Sequence, residues 1–244
     1  MKTYMKNRPA FLLTAAIASL GLSACQDTIV EPITGVTAVA TNFNEGTDGW
    51  VADYTDYTED VAGTVRFQSG LRPLPTPLNT DRKAFFLSSN NPSDDVFMFL
   101  KRRITGLRVN TEYKLTAKLQ VASKYPNNVP GIGGAPGQAL YLKVGASLTE
   151  PKSVLTDDGY RLNVDKGNQV QTGKATVLLG DASNDSDSIA YKLVDRTNDK
   201  QPLSIKTDAT GELWLFFGTD SGYEGQTDLY YTRVAVTATP TARN

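Results

Sequence analysis

A short stretch of the chain combines aromatic rings with carboxylates. Trp50, Asp53, Tyr54, Asp56 and Tyr57 all fall within the run 50–57. Sugar-binding sites stack a pyranose face on Trp or Tyr and fix its hydroxyls with polar side chains. Because Asp and Thr flank both tyrosines, we expect exposed rings here, and we predict ligand binding by the following residues: Asp53, Tyr54, Asp56, Tyr57 and, from a later acidic loop, Tyr223.

The two tryptophans are expected in the core. Trp50 follows Gly49 at the start of the first predicted strand, where a Gly-Trp pair is usually buried. Trp214 lies between Leu213 and Leu215 in an apolar run. Neither indole is therefore predicted to contact a ligand.

The amino-acid composition excludes most classes of enzyme mechanism. The 244 residues include no histidine and one cysteine, Cys25, so imidazole-based triads, thiolate zinc clusters and internal disulfides are excluded. Carboxylate chemistry, oxygen-ligated metals and binding remain possible, and among 26 acids a suitably spaced pair occurs by chance. No hydrolase motif accompanies these acids, so we predict a protein that is not an enzyme.

Two runs rich in oxygen-bearing side chains are interpreted as turns. The run 181–187 alternates oxygen side chains as a calcium loop does, but Ser186 and Lys192 occupy the positions where an EF-hand needs Gly and Glu. We favour a solvated turn there. In the run 90–95, Asp94 and Asp95 are either ligands or turn residues, and we favour turn residues that bond nearby amides.

The rest of the chain alternates with period two, which is typical of half-buried β-strands. In the run 112–121, for example, Tyr113, Leu115 and Leu119 share one face while Lys114 and Lys118 share the other. About ten such runs are separated by Gly, Pro, Asn and Asp turns. The further strands are predicted at 64–68, 83–88, 95–104, 139–146, 174–180, 189–194, 212–218 and 229–238. We predict one antiparallel β-sandwich over residues 41–240.

Three segments resemble jelly-roll carbohydrate-binding modules. The run 43–50 places an aromatic residue and an acidic turn before Gly-Trp, 104–113 resembles the turn before their central Tyr strand, and 229–236 resembles their last strand. The order of these segments is similar to that of a galactose-binding-like sandwich. Outside them, the chain looks more like an uncharacterised group of bacterial lipoproteins.

The resemblance also implies a metal. Such modules often hold a structural calcium between their first and last strands. The loop near the first strand and the acidic loop before the last strand would supply its ligands. The implied set is Glu45, Asp48, Asp220, Glu224 and Asp228.

The N-terminus resembles that of a bacterial lipoprotein. Lys2, Lys6 and Arg8 precede a short apolar run, and Leu22-Ser23-Ala24-Cys25 resembles a lipobox. This resemblance implies that residues 1–24 form a signal peptide, that Cys25 is acylated, and that 25–40 act as a tether. Gln26, rather than Asp, after the cysteine favours the outer over the inner membrane in a Gram-negative host.

We therefore expect a lipid-anchored, monomeric, non-catalytic envelope protein that binds a glycan. Removal of the signal leaves acids in excess, so no nucleic-acid partner is expected. Two alternatives stay open. An envelope assembly protein would show a large flat apolar patch, and a carboxylate glycosidase or lyase would show a deep cleft with paired acids.

Overall fold

The computed structural model describes residues 36–241, which form an all-β sandwich of two antiparallel sheets. The β-sandwich prediction is confirmed. The strands of sheet A are β1 (Val36–Asn42), β3 (Gln68–Pro73), β4 (Lys83–Asn91), β6 (Glu112–Ser123), β11 (Lys192–Thr197), β12 (Leu203–Lys206) and β14 (Gly225–Pro240). Their order is β11-β6-β14-β4-β3, with β1 paired to β14 and β12 paired to β6.

The strands of sheet B and of a separate hairpin are β2 (Val51–Thr55), β5 (Phe97–Ile104), β7 (Leu140–Ser147), β8 (Ser153–Thr156), β9 (Gly159–Leu162), β10 (Thr176–Asp181) and β13 (Leu213–Ser221). Sheet B has the order β10-β7-β13-β5-β2, and the hairpin joins β8 to β9. The connection from β13 to β14 therefore carries the chain from sheet B to sheet A.

The inward faces of both sheets form one core. On β6, Tyr113, Leu115 and Leu119 are buried at alternate positions, as the period-two pattern predicts. Trp50 is also buried, and its Nε1 donates to Thr41 Oγ1 at 3.0 Å. The prediction that Trp50 belongs to the core is confirmed.

The outer face of sheet B carries a second apolar layer, formed by Phe97, Phe99 and Phe216. Two glycines make room for it. A Cβ on Gly145 would lie 2.0 Å from the Phe216 ring, and one on Gly218 would lie 2.1 Å from the Phe97 ring. The rings can therefore lie flat on the neighbouring strands.

Residues 150–175, here called the covering segment, lie over this aromatic layer. The segment contains the β8–β9 hairpin and the loop that leads to β10. Leu162, Val164 and Ala175 pack on the three phenylalanines. At the edge of the sheet, Ser153 Oγ donates to Thr55 Oγ1 of β2 at 3.0 Å.

Several elements differ from the sequence prediction; for example, β11 begins at Lys192 and not at 189, and β14 begins at Gly225 and not at 229. Two further differences have a clear structural cause. Strand β1 begins at Val36, inside the segment expected to be a tether, because its backbone pairs with β14. The predicted strand at 64–68 is wrong, since Ala62–Val65 is a short α-helix that ends where Arg66 turns left-handed at φ 50°. Within residues 36–241, no helix is long and apolar enough to cross a membrane.

The aromatic layer gives a test of the fold. Gly145→Ala is expected to lower the free energy of unfolding by about 1–3 kcal/mol, because the new methyl group overlaps the Phe216 ring. Urea unfolding measures the change. Gly63→Ala is the control, since its Cβ would meet nothing within 4 Å; equal effects of the two substitutions would contradict the packing.

Candidate functional site

The predicted tyrosines form part of a stack of four rings. Phe67, Tyr54, Tyr57 and Tyr160 follow one another at centroid distances of 4.6, 5.2 and 4.8 Å, with interplanar angles between 14° and 23°. Tyr57 is only 8% exposed. The expectation that Tyr57 is exposed is therefore wrong, because the neighbouring rings cover both of its faces.

Backbone pairing explains this stack. Tyr57 forms a β-bridge with Tyr160, and the Tyr160 N–H donates to the Tyr57 carbonyl at 2.8 Å. The bridge brings the end of β2 against β9 of the covering segment. Burial raises the pKa of Tyr57, which fits a ring held between others.

The acids of the same run also have partners. Asp53 accepts from the Tyr54 N–H at 2.9 Å and lies 3.4 Å from Lys101 Nζ. Asp56 is 3% exposed and lies 2.9 Å from Lys166 Nζ, while its Oδ1 accepts from the Leu162 N–H at 3.2 Å. Burial raises the pKa of Asp56, against the opposing effect of Lys166.

Tyr223 lies apart from the four stacked rings. It is half-buried, and its ring covers Gly131 and Gly225, where added Cβ atoms would lie 2.9 Å from Cε2 and 2.6 Å from Cζ. The structure therefore does not form one platform from Tyr54, Tyr57 and Tyr223. The glycine-rich run 131–137 is a loop, and its Ile132 carbonyl accepts from the Glu224 N–H at 2.9 Å.

The predicted metal ligands are dispersed. Glu45 accepts from Asn42 Nδ2 at 2.9 Å. Asp48 pairs with Arg102 and accepts from Thr41 Oγ1 at 2.6 Å, and that hydrogen bond lowers the pKa of Asp48. Glu224 follows Tyr223 in the loop between β13 and β14.

The two remaining predicted ligands lie on opposite outer faces. Asp228 faces outward from sheet A, where it lies 2.8 Å from Lys124 Nζ and accepts from Ser88 Oγ at 2.8 Å. Asp220 is completely buried under the covering segment on sheet B. Over residues 36–241, no group of three or more Asp and Glu side chains is placed to hold a metal ion. The calcium site stays a prediction without structural support.

The two runs lie mostly outside the strands, but not in the way predicted: Asn91, and not Asp94 or Asp95, bonds the amides of the run 90–95, and residues 182–184 of the run 181–187 are buried. Asn91 Oδ1 accepts from the N–H groups of Ser93, Asp95 and Val96 at 3.2–3.4 Å, so the run 90–95 is a side-chain-capped turn. In the run 181–187, the acids Asp181 and Asp185 pair with Arg196. These two carboxylates contact a guanidinium.

Asp220 is the centre of a buried charge network. Its Oδ2 lies 2.8 Å from Lys143 Nζ, 3.0 Å from Lys166 Nζ and 2.8 Å from the donating Gln169 N–H. Lys166 Nζ also reaches Asp56, so two lysines face two aspartates. Burial lowers the pKa of Lys143, whereas for Lys166 the two carboxylates outweigh burial and raise the pKa.

A cavity of about 230 Å³ opens beside this network. Asp56, Asp95, Arg161, Lys166 and Asn168 line it. Within the described residues, no hydrogen bond or ion pair reaches the Asp95 carboxyl. Burial, reinforced by the negative charges of Asp56 and Asp220, raises the pKa of Asp95 to about 6.

Trp214 lies in a different cavity, of about 280 Å³, at the open end of the outer face of sheet B. The prediction that Trp214 belongs to the core is wrong. Leu213 and Leu215 point into the core, so alternation turns the intervening indole outward, where it is half-buried opposite Arg103 and Ser147. The same alternation rule could have located this ring from the sequence.

Polar groups surround the indole. The cavity is lined by Arg103, Leu148, Glu150, Asp208, Thr210, Glu212, Leu213 and Trp214. Arg103 pairs with Glu212, and Leu148 is 48% exposed. The cavity thus combines one aromatic ring, which can stack on a ligand ring, with several polar side chains that can bond its polar groups.

Comparison with known proteins gives similarities of fold. No family model and no curated protein matches the chain. The following solved structures are similar to it.

A carbohydrate-binding module studied for promiscuous specificity in the β-sandwich superfamily is 11% identical, with a TM-score of 0.39, over 78% of this chain and 58% of that one. A module studied for specific mannan recognition is 13% identical, with a TM-score of 0.39, over 84% of this chain and 98% of that one. A putative sugar binding protein from Bacteroides thetaiotaomicron is 14% identical, with a TM-score of 0.38, over 85% of this chain and 95% of that one. The candidate site is therefore built from the residues of this chain alone.

The Asp95 carboxyl gives a pH-dependent prediction. Its pKa is about 6 in the folded chain and about 3.9 in an unfolded one. At pH values between these two pKa values, the folded state binds more protons than the unfolded state. Ionisation of Asp95 therefore lowers the free energy of unfolding as the pH rises, and this loss is complete above the folded pKa. Asp95→Asn is expected to stabilise the fold at pH 8, on the order of 1–2 kcal/mol after solvent screening, and to lose this advantage near pH 4.

Urea midpoints at the two pH values check this expectation. Asp157→Asn, in the exposed β8–β9 turn, controls for the loss of one negative charge. A stabilisation by Asp95→Asn that is the same at pH 4 and pH 8 would show that ionisation of this carboxyl is not responsible.

Proposed function

We propose that this protein is a non-catalytic, lipid-anchored envelope protein whose β-sandwich binds a glycan on Trp214. The observation that carries the proposal is the position of this indole, which is half-buried in a cavity on the outer face of sheet B, beyond the covering segment. An indole offers a large apolar face and low conformational entropy, which suits stacking on a sugar ring.

The charges around Trp214 favour a neutral ligand. Glu212 pairs with Arg103, and Glu150 lies 2.9 Å from Lys101 Nζ. Asp208 accepts from the Thr210 N–H at 2.8 Å and from Thr210 Oγ1 at 2.6 Å. Because each carboxylate already has a donor, the remaining lone pairs and N–H groups suit hydroxyls better than a charged group.

The same contacts argue against glycoside hydrolysis at this cavity. That reaction needs a carboxylic acid that keeps its proton near neutral pH, beside a free carboxylate. Hydrogen bonds from Thr210 lower the pKa of Asp208, which favours its ionised form. Asp56, whose pKa is raised, lies in the separate cavity and is engaged by Lys166.

The lipid anchor is inferred from the sequence alone. Cys25 and the signal-like run 1–24 lie outside the described residues, and the proposed acylation follows from the lipobox resemblance. A lipid chain binds a bilayer through burial of its methylene groups, about 0.8 kcal/mol each. We place the protein at the cell envelope, at the outer membrane in a Gram-negative host.

Affinity electrophoresis of the full chain in gels that contain different polysaccharides tests the site. We expect retardation by at least one neutral glycan and its loss in Trp214→Ala, since removal of a central aromatic anchor costs about 2 kcal/mol or more. Val51→Ala is the matched control, because Val51 is exposed on the same face but lies outside the cavity.

The outcomes are distinct. Retardation that survives Trp214→Ala but is lost in Tyr223→Ala would move the site to the β13–β14 loop. Loss of retardation in EDTA would support the predicted calcium. No retardation by any glycan would contradict the proposal and favour the protein-partner alternative.

The anchor has its own test. Cys25→Ser is expected to move the protein from the membrane fraction to the soluble fraction of the native host, because no thiol remains for acylation. Immunoblots of both fractions measure the change, and Ser23→Thr, which keeps the cysteine, is the control. Equal membrane association of the Cys25→Ser variant and the wild type would show that Cys25 does not anchor the chain.

A further inference from the structure

The buried charge network contains a lysine and an aspartate in contact, shielded from water. The exposed side-chain fraction is 7% for Lys166, 0% for Asp220 and 4% for Asp56. Lys166 Nζ lies 5.2 Å from the centre of the Phe97 ring, so one wall of the site is apolar. Burial of this kind disfavours separated charges and favours neutral products.

The two oxygens of Asp220 have different surroundings. Oδ2 receives the Gln169 N–H at 2.8 Å and Lys143 Nζ at 2.8 Å. Oδ1 has only Lys166 Nζ, at 3.1 Å, as a hydrogen-bond donor within the described residues. Two fixed donors on one oxygen are the arrangement that stabilises an oxyanion during addition to a carbonyl carbon.

The two lysines are not equivalent. Lys143 Nζ donates to the carbonyls of Lys166 and Gln171, both at 3.0 Å, and to Asp220 Oδ2, so its three protons are all used. Lys166 Nζ faces both oxygens of Asp220 and also lies 2.9 Å from Asp56 Oδ2. Only Lys166 therefore has a neighbouring carboxylate that can accept a proton without using Asp220.

We propose that Lys166 Nζ and the Asp220 carboxyl carbon condense to form an intramolecular isopeptide bond, with Asp56 as the proton carrier. One Nζ proton passes to Asp220 Oδ1, which leaves a neutral amine beside a neutral carboxylic acid. The amine attacks Cγ, and the negative charge develops on Oδ2 between the Gln169 N–H and Lys143. A second Nζ proton passes to Asp56 and then to Oδ1, which leaves as water.

The step is balanced and needs no oxidant. The C–N bond forms, the Cγ–Oδ1 bond breaks, one proton stays on the amide nitrogen, and Asp56 regains its starting state. The new bond would tie the covering segment to β13, across 54 positions of the chain. The described domain has no cysteine, so no disulfide can provide such a tie.

Peptide mapping of the denatured full-length protein tests the bond. Trypsin cannot cleave after an acylated lysine, so the wild type is expected to yield peptide 162–174 joined to 207–233, with the combined mass less one water. Fragmentation must place the link at Lys166 and Asp220. Lys166→Arg keeps the positive charge but should yield only unlinked peptides. Lys152→Arg, at an exposed position of the covering segment outside the charge network, is the control and should still yield the link.

Asp56→Asn tests the proton carrier. A general acid or base contributes typically about 10²–10⁴-fold to a rate, so little linked peptide is expected in this variant when it is collected early after synthesis. Recovery of free 162–166, 167–174 and 207–233 from the wild type would overturn the proposal, whatever the variants do. A link from 125–152 to 207–233 would overturn it as well, because Lys143 would then be the attacking residue.

Discussion

The covering of sheet B depends on one buried carboxylate. Asp220 lies on the outer face of that sheet with no exposure to water, where an unpaired charge would cost several kcal/mol. Lys143, from the neighbouring strand β7, and Lys166, from the covering segment, supply the opposite charge. The covering segment is therefore required by the charge that it covers, and its Gln169 N–H completes the coordination of Asp220.

The aromatic layer and the charge network act together. Gly145 and Gly218 let Phe216 and Phe97 lie flat, which keeps the covering segment close to the sheet. That closeness excludes water and strengthens each ion pair through the lower local dielectric. We therefore expect the covering segment to unfold together with the sandwich, and not as an appended loop.

Much of the fold follows from alternation, whereas the distribution of charges does not. The period-two pattern of β6 predicts its buried face, and the same rule, applied to β13, would have turned Trp214 outward. Asp220 and Asp228 lie near each other in sequence and were expected to share a metal. The chain changes sheets between them, so they point from opposite outer faces, and only strand pairing reveals this.

The tyrosine stack illustrates the same limit. The aromatic and acidic run 50–57 has the composition of a binding surface, but the pairing of Tyr57 with Tyr160 depends on a partner about a hundred positions away. Composition alone cannot foresee that partner, because long-range pairing determines which ring faces stay open.

The position of the covering segment also limits where a ligand can bind. Over Phe97, Phe99 and Phe216 the outer face of sheet B is occupied by the chain itself, so no ligand has access there. Beyond the start of the segment at Glu150, the same face is open at Trp214. The open part of this face around Trp214 therefore carries a single large ring. The network that fixes Asp220 thereby limits the part of this face that a ligand could reach.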